Sequence, residues 1–304
     1  MTAEVLLRLE HVTKRYGSFT ALDDFSVDVP RGLTGLVGAN GAGKTTTFRL
    51  VLGIARPTAG TVSFAGHDVA ADPIPIRARL GYMPEHDCLP LDQSAADVVA
   101  TFAELSGLPS RAARQRASDV LDLVGLDEAR FRPIGGFSTG MRQRAKLAQA
   151  IVADPELVLL DEPTAGLDPM GREEMLQLIA RLGEFGISVL MSTHLLDDVQ
   201  QVCSHVVMID SGRLVVSGAT TELLDSGGVV TIDVGTDSER LVGALRQRGV
   251  EARSDGSIVE VATDEAGLDI VRDTIDDEGL SLFRLSTSAA SLADVFVRRA
   301  GGDS

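Results

Sequence analysis

Cysteine is nearly missing from this chain of 304 residues: Cys88 and Cys203 stand alone and far apart. Their spacing builds neither a disulfide framework nor a metal cluster, which fits a reducing cytosol. Long apolar runs are missing too. No segment approaches the roughly 18 continuous apolar residues of a membrane span, and MTAEVLLRLE at the start lacks a basic region followed by an apolar one. The sequence therefore predicts a soluble chain with no signal peptide. Lysine is the third scarcity, with Lys14, Lys44 and Lys146 set against 25 arginines, so each lysine position carries information. A positive balance is also lacking. The net charge is -16, and residues 222–304 hold 17 Asp and Glu against 8 Arg. Such a surface argues against non-specific binding to nucleic acid, whose phosphates need positive charge. What is present is ordinary globular composition, 44% hydrophobic and 24% charged, enough for a real core.

Strand-like runs alternate with helical patterns over the first 220 residues, predicting an α/β fold with a largely parallel sheet. Strands are expected at 5–10, 24–29, 33–38, 157–161, 188–192 and 205–210, with an edge strand at 61–66. Helices are expected at 45–52, 169–183 and 195–203. Between about 95 and 154 apolar residues recur at helical spacing, so this stretch reads as an insertion into the α/β body. After Gly218 a short helix and the Ser226-Gly227-Gly228 breaker lead into a second series. Strands at 229–234, 257–262 and 282–287 alternate with helices near 237–248, 264–277 and 291–299, enough for a small α/β domain. The expected division is 1–221, with a helical subdomain at about 86–154, and 222–304.

Gly38-Ala39-Asn40-Gly41-Ala42-Gly43-Lys44-Thr45 fits G-x-x-x-x-G-K-[ST], after an apolar strand and opening a helix. Glycines let backbone N–H groups curl round a phosphate, and the helix N-terminus adds partial positive charge. Lys44 would bridge terminal phosphates and the Thr45 hydroxyl would ligate magnesium, with Thr46 following on the helix. The four aliphatics Leu157–Leu160 make a strand buried on both faces, whose end delivers Asp161 and Glu162 to the same rim of the sheet. Asp161 is expected to hold Mg2+ and Glu162 to polarise the attacking water. Acidic residues also end strands for solvation alone; the phosphate loop tips the balance toward chemistry.

Together these motifs resemble the ATP-binding cassette (ABC) family. Pro163-Thr164-Ala165-Gly166-Leu167-Asp168-Pro169 resembles its D-loop, Ser192-Thr193-His194 its switch histidine, and Phe137-Ser138-Thr139-Gly140-Met141 its signature motif. Order and spacing agree over residues 5–221. The resemblance implies a P-loop cassette with an antiparallel β subdomain and helical insertion, plus the small C-terminal α/β domain. It implies ATP as substrate, Mg2+ as cofactor, and Glu162, Lys44 and His194 as the catalytic set. Ser138 and Gly140 would touch the γ-phosphate held by the opposite subunit of a head-to-tail homodimer, while Ser138 also suits an ordinary N-cap. Asp168 belongs to the dimer seam. Tyr16 matches the adenine-stacking position, although a half-buried tyrosine at a strand end would look the same. Two departures stand out. Glu85, in Gly81-Tyr82-Met83-Pro84-Glu85, replaces the usual glutamine and adds a charge near the metal. The signature has Phe137, Thr139 and Met141 in place of leucine, glycine and glutamine.

The resemblance further implies a separate transmembrane permease, reached through coupling helices, and a cytoplasmic position on the inner face of the cell membrane. His86–Asp92 is the expected contact strip, with a packed loop as the alternative. The tail, ending Ser291-Leu292-Ala293-Asp294-Val295-Phe296-Val297, resembles the extension of ABC-2-type drug, antibiotic-resistance and polysaccharide exporters. It also reads as a passive dimerisation or solubilising module. A soluble ATPase of translation or DNA maintenance is the competing class. It is disfavoured because each motif occurs once and no long coiled coil fits between Lys44 and Asp161.

Overall fold

The computed structural model describes residues 4–225, 228–263, 265–288, 291–293 and 295. The chain divides into two compact units, Met1–Gly218 and Ala219–Ser304. The first opens with β1 (Val5–Tyr16), β2 (Phe19–Pro30), β3 (Leu33–Val37) and α1 (Lys44–Val51). Next come β4 (Ala59–Phe64), β5 (His67–Asp68), α2 (Pro73–Arg77) and β6 (Leu80–Met83). The helical stretch holds α3 (Ala95–Leu105), α4 (Ser110–Leu123) and α5 (Thr139–Ile151). The unit then runs through β7 (Leu157–Asp161), α6 (Pro169–Glu184), β8 (Ser188–Thr193), α7 (Leu196–Val202), β9 (His205–Asp210) and β10 (Arg213–Ala219).

Two sheets result. One has the order β10-β9-β3-β8-β7-β6, with β9, β3, β8, β7 and β6 pairing in parallel. Every residue of β7 and β8 is buried, as a strand covered on both faces requires. The other sheet is antiparallel, in the order β2-β1-β4-β5. Residues 61–66 are therefore not at the edge as expected, because the two-residue β5 turns back onto β4 and takes that place. The first hairpin is also longer than expected, since polar residues carry β1 and β2 on to the Tyr16–Phe19 pair. Phe48, Leu50 and Val51 of α1 bury into one cluster with Leu9 and Phe25 of the antiparallel sheet and Leu36 and Leu190 of the parallel one. The helix after the phosphate loop thereby joins both layers.

The second unit contains α8 (Thr220–Asp225), β11 (Gly228–Asp233), α9 (Ser238–Gln247), β12 (Ala252–Asp255), β13 (Ile258–Thr263), α10 (Glu265–Asp277) and β14 (Arg284–Ser288). Its sheet is antiparallel, ordered β12-β13-β11-β14. The sequence pattern missed β12. Its Ala-Arg-Ser-Asp run is mostly exposed at a sheet edge and lacks an apolar alternation. With it, β11 to β14 form a split βαβ unit in place of the simple alternation expected. Val230, Ile232, Val259 and Val261 bury one face of this sheet against Leu241, Leu245 and Val271 of its helices. The helix expected at 291–299 lies largely outside the described residues.

One glycine sets how α5 meets the parallel sheet. A Cβ on Gly81 of β6 would lie 2.1 Å from the Ala150 carbonyl oxygen of α5, backbone against backbone. Gly81→Ala is expected to destabilise the protein by about 1–3 kcal/mol through overpacking. A urea midpoint equal to that of the unaltered protein would show that the helix can simply move away.

Candidate functional site

Between β3 and α1 the loop turns twice through left-handed conformations, at Gly41 (φ 85°) and Gly43 (φ 113°), which glycine adopts without steric cost. Gly38 is needed for space: a Cβ there would meet the Ile209 carbonyl at 2.3 Å. The loop borders a cleft of about 300 Å³ lined by Phe19, Ala21, Ala39, Asn40, Gly41, Gly43, Lys44, Thr45, Thr46, Glu85, Asp161 and Glu162. Gly38 and Ala42, also expected at the site, are buried and shape the loop without lining the cleft.

The reactive groups converge through the pairing of β7 with β8. Asp161 lies opposite Ser192 in the register. One Asp161 carboxylate oxygen accepts from the Ser192 hydroxyl, and the other accepts from Thr45 Oγ1 at 3.2 Å. Glu162 follows with φ 48°, a conformation that costs a side-chain-bearing residue of order 1 kcal/mol or more. Its backbone N–H still bonds the Ser192 carbonyl at 3.0 Å, so the strand end is held while the side chain turns into the cleft. Glu162 is 6% exposed. Its Oε2 lies 3.0 Å from His194 Nδ1, and its Oε1 lies 3.4 Å from the Lys44 ammonium. That ammonium donates to the Gly38 carbonyl at 2.7 Å. Glu162 Oε1 is buried with no aligned hydrogen bond, so an acceptor inside the cleft is left open. An ionised carboxylate can only accept, so this contact is a hydrogen bond in the tautomer that carries a proton on His194 Nδ1.

Thr45, Asp161 and Glu85, whose side chains are a hydroxyl and two carboxylates, all belong to the cleft lining, and Thr45 and Asp161 are hydrogen-bonded there. Among the described residues no three His, Cys, Asp or Glu side chains gather as a self-sufficient metal site. Sparse oxygen donors suit magnesium, which keeps waters and takes phosphate oxygens alongside one or two protein ligands. The residues present fit that ion.

Other expected site residues stand apart from this cleft. Ser138 and Gly140 begin α5, where Ser138 is exposed and its Oγ accepts the Met141 N–H at 3.3 Å. Asp168 is exposed and caps α6, accepting the Gly171 N–H at 2.8 Å. Tyr16 does not line the cleft; the Lys14 ammonium sits over its ring at 4.8 Å. The aromatic that does line it is Phe19, 59% exposed and paired with Tyr16 across the hairpin turn. Phe19 escaped the sequence reading because no motif marks it; an apolar ring just after a tight turn was the available signal. Glu85 lines the cleft, and its backbone carbonyl accepts from Lys146 Nζ at 2.8 Å. Burial pulls the Lys146 ammonium below the ordinary lysine range, opposed by the charges of Cys88, Asp87, Glu85 and Asp161.

Comparison with known proteins agrees with this geometry. Residues 22–165 match the ABC transporter family. The chain is 32% identical over 309 residues to the daunorubicin resistance ATP-binding protein DrrA3 of Streptomyces coeruleorubidus, spanning 99% of this chain and 98% of that protein. It is also 32% identical over 302 residues to the Nod factor export ATP-binding protein I of Ralstonia nicotianae, spanning 97% and 94%. Among solved structures, cbiO1 of Clostridium perfringens, part of the ABC transporter complex cbiONQ, superposes with a TM-score of 0.67 at 29% identity. That match covers 72% of this chain and 90% of the other. A phosphate loop, a carboxylate pair at the end of β7 and a histidine at the end of β8, joined in one cleft on a chain with full-length relatives of this kind, lead to one conclusion: the protein belongs to the ABC transporter family, as an ATP-binding subunit that hydrolyses ATP.

Proposed function

We propose that this ATPase energises export through a separate membrane-embedded permease of the ABC-2 type, by ATP-driven closure of a head-to-tail homodimer. The observation that carries the reading is the separation of the two half-sites. The cleft holds Lys44, Asp161 and Glu162, whereas Ser138, an exposed N-cap on α5, does not line it. A helix N-terminus with an exposed capping hydroxyl suits a phosphate. A second copy would bring that phosphate, because each subunit holds its own triphosphate in its own loop. Among the described residues no helix is long and apolar enough to cross a membrane, and the permease is read as a separate chain. Export is supported by the two relatives, one named for Nod factor export and the other for daunorubicin resistance.

Within the half-site, the loop N–H groups and Lys44 hold the β- and γ-phosphates. Thr45, Asp161 and Glu85 would hold magnesium, which when bound would supply positive charge toward the phosphate oxygens. Glu162 orients the attacking water and takes its proton, for which the unbonded Oε1 offers the acceptor. Before nucleotide enters, Lys44 and His194 are both engaged by Glu162. A γ-phosphate competes for both side chains and frees the carboxylate for water. Phe19, with Tyr16 across the turn, offers an apolar face to the adenine. Asp168, at the start of α6, belongs to the dimer seam. Residues 222–304 serve as an accessory domain, and His86–Asp92 is the contact strip for the permease.

Glu162→Gln should lower kcat for ATP at least about 100-fold while preserving ATP-dependent dimerisation in light scattering. Unchanged turnover, or a variant that stays monomeric with ATP, would overturn the mechanism. Phe19→Ala should raise KM for ATP about 2- to 10-fold, falling on KM more than on kcat, as the loss of one stacking face predicts. An unaltered KM in steady-state assays would remove Phe19 from the site.

A further inference from the structure

Of the three lysines, Lys44 serves the phosphate loop and Lys14 covers the Tyr16 ring; Lys146 has no part in the chemistry derived so far. It is also the most buried of them, 1% exposed on α5, an unusual place for a lysine that pairs with no carboxylate at contact distance. Its ammonium reaches across 61 residues of sequence to the Glu85 carbonyl. One turn earlier on the same helix, Arg142 Nε pairs with Asp87 at 3.6 Å. Arg142 also donates to the Phe137 carbonyl at 2.7 Å, just before the Ser138 cap. Leu89 and Ile134 close the space beside these groups too tightly for a water molecule. The loop that delivers Glu85 to the cleft is thus gripped at two points by one face of α5.

We infer that Lys146 is a positioning residue: with Arg142 it clamps the Glu85 loop to α5, and its buried positive charge offsets the carboxylate that Glu85 adds to the cleft. The charge count supports this. The cleft lining brings together Glu85, Asp161 and Glu162 against Lys44 alone, before a polyphosphate enters. A third carboxylate there needs a compensating cation close by, and attraction in a water-poor setting acts over several ångströms. Lys146 stands at the Glu85 backbone and supplies it. The clamp also gives α5 two jobs. Its N-terminus presents Ser138 outward, and its middle sets where Glu85 stands, so the two half-sites share one rigid element.

The inference rests on the proposal that Glu85 serves the nucleotide site, and the test separates the two. Lys146→Met, Glu85→Gln and the double variant are compared in the full-length chain by steady-state ATPase assay, with thermal melting as a control for folding. Lys146→Met keeps the buried volume while removing charge and donor. It should lower kcat about 10-fold or more and shift KM far less, and in the Glu85→Gln background the same change should cost at least about threefold less. Lys146→Arg, which keeps the charge, should restore part of the loss. Should Lys146→Met fail to fold, Arg142→Gln and Asp87→Asn break the other grip at partly exposed residues. Each should lower kcat, and together they should cost no more than the larger single effect. Equal losses from Lys146→Met in both backgrounds, or additive losses from Arg142→Gln and Asp87→Asn, overturn the inference while leaving Glu85 at the site. If Glu85→Gln itself leaves kcat and KM unmoved, the site reading fails instead.

Discussion

Everything at the nucleotide site depends on where one positive charge is held. Among the described residues, Lys44 is the sole lysine or arginine lining a cleft that also has three carboxylate residues in its lining, in a chain of net charge -16. A flexible lysine in such surroundings would collapse onto the nearest carboxylate and block the pocket. Here the loop carbonyls of Gly38 and Ala39 take two of its donor directions, leaving the ammonium beside Glu162 but not aligned with it. That arrangement requires the left-handed turns at Gly41 and Gly43, which in turn require α1 to be fixed. The fixing comes from Phe48, Leu50 and Val51, buried between both sheets.

The carboxylate side of the cleft is held by sheet register rather than by loop packing. Pairing of Leu157–Asp161 with Ser188–Ser192 sets Asp161 opposite Ser192, and the Ser192 carbonyl also takes the Glu162 N–H. Beyond the strand ends, a second buried group joins the segment after Glu162 to the segment after His194. Asp198, fully buried, accepts from the Thr164 hydroxyl at 2.7 Å and pairs with Arg172 of α6. An unpaired carboxylate at this depth would cost several kcal/mol, so these contacts are held together as a set. The histidine and the carboxylate it touches therefore sit on segments that cannot drift independently.

Much of this was legible in the sequence because the chemistry is compressed into short motifs. Asp161, Glu162 and His194 sit at the ends of apolar strands and Lys44 and Thr45 open the helix that follows one, and the parallel sheet brings strand ends together. What stayed hidden depended on distance or on polarity. Phe19 required knowing that the first hairpin continues past its apolar residues. The strand Ala252–Asp255 carries almost no apolar signal because it lies at a sheet edge. Lys146 was marked by the scarcity of lysine, but nothing local tells that its ammonium ends at the carbonyl of Glu85. Tyr16 illustrates the reverse case. Its motif position was clear, yet it is Phe19 across the hairpin turn that lines the cleft, while Tyr16, 43% exposed, has the Lys14 ammonium over its ring.

Gly81 gives α5 a fulcrum. Where the Ala150 carbonyl approaches Gly81, no side chain separates helix from strand, so there is no compressible layer to absorb a displacement. Ser138 lies 12 residues before Ala150, and at about 1.5 Å per residue that is an arm of roughly 18 Å. A rotation of only about 5° about that contact would sweep the helix tip through roughly 1.6 Å, more than half a hydrogen-bond length. Small angular play at the strand thus becomes a displacement of hydrogen-bonding size at the far end of the helix.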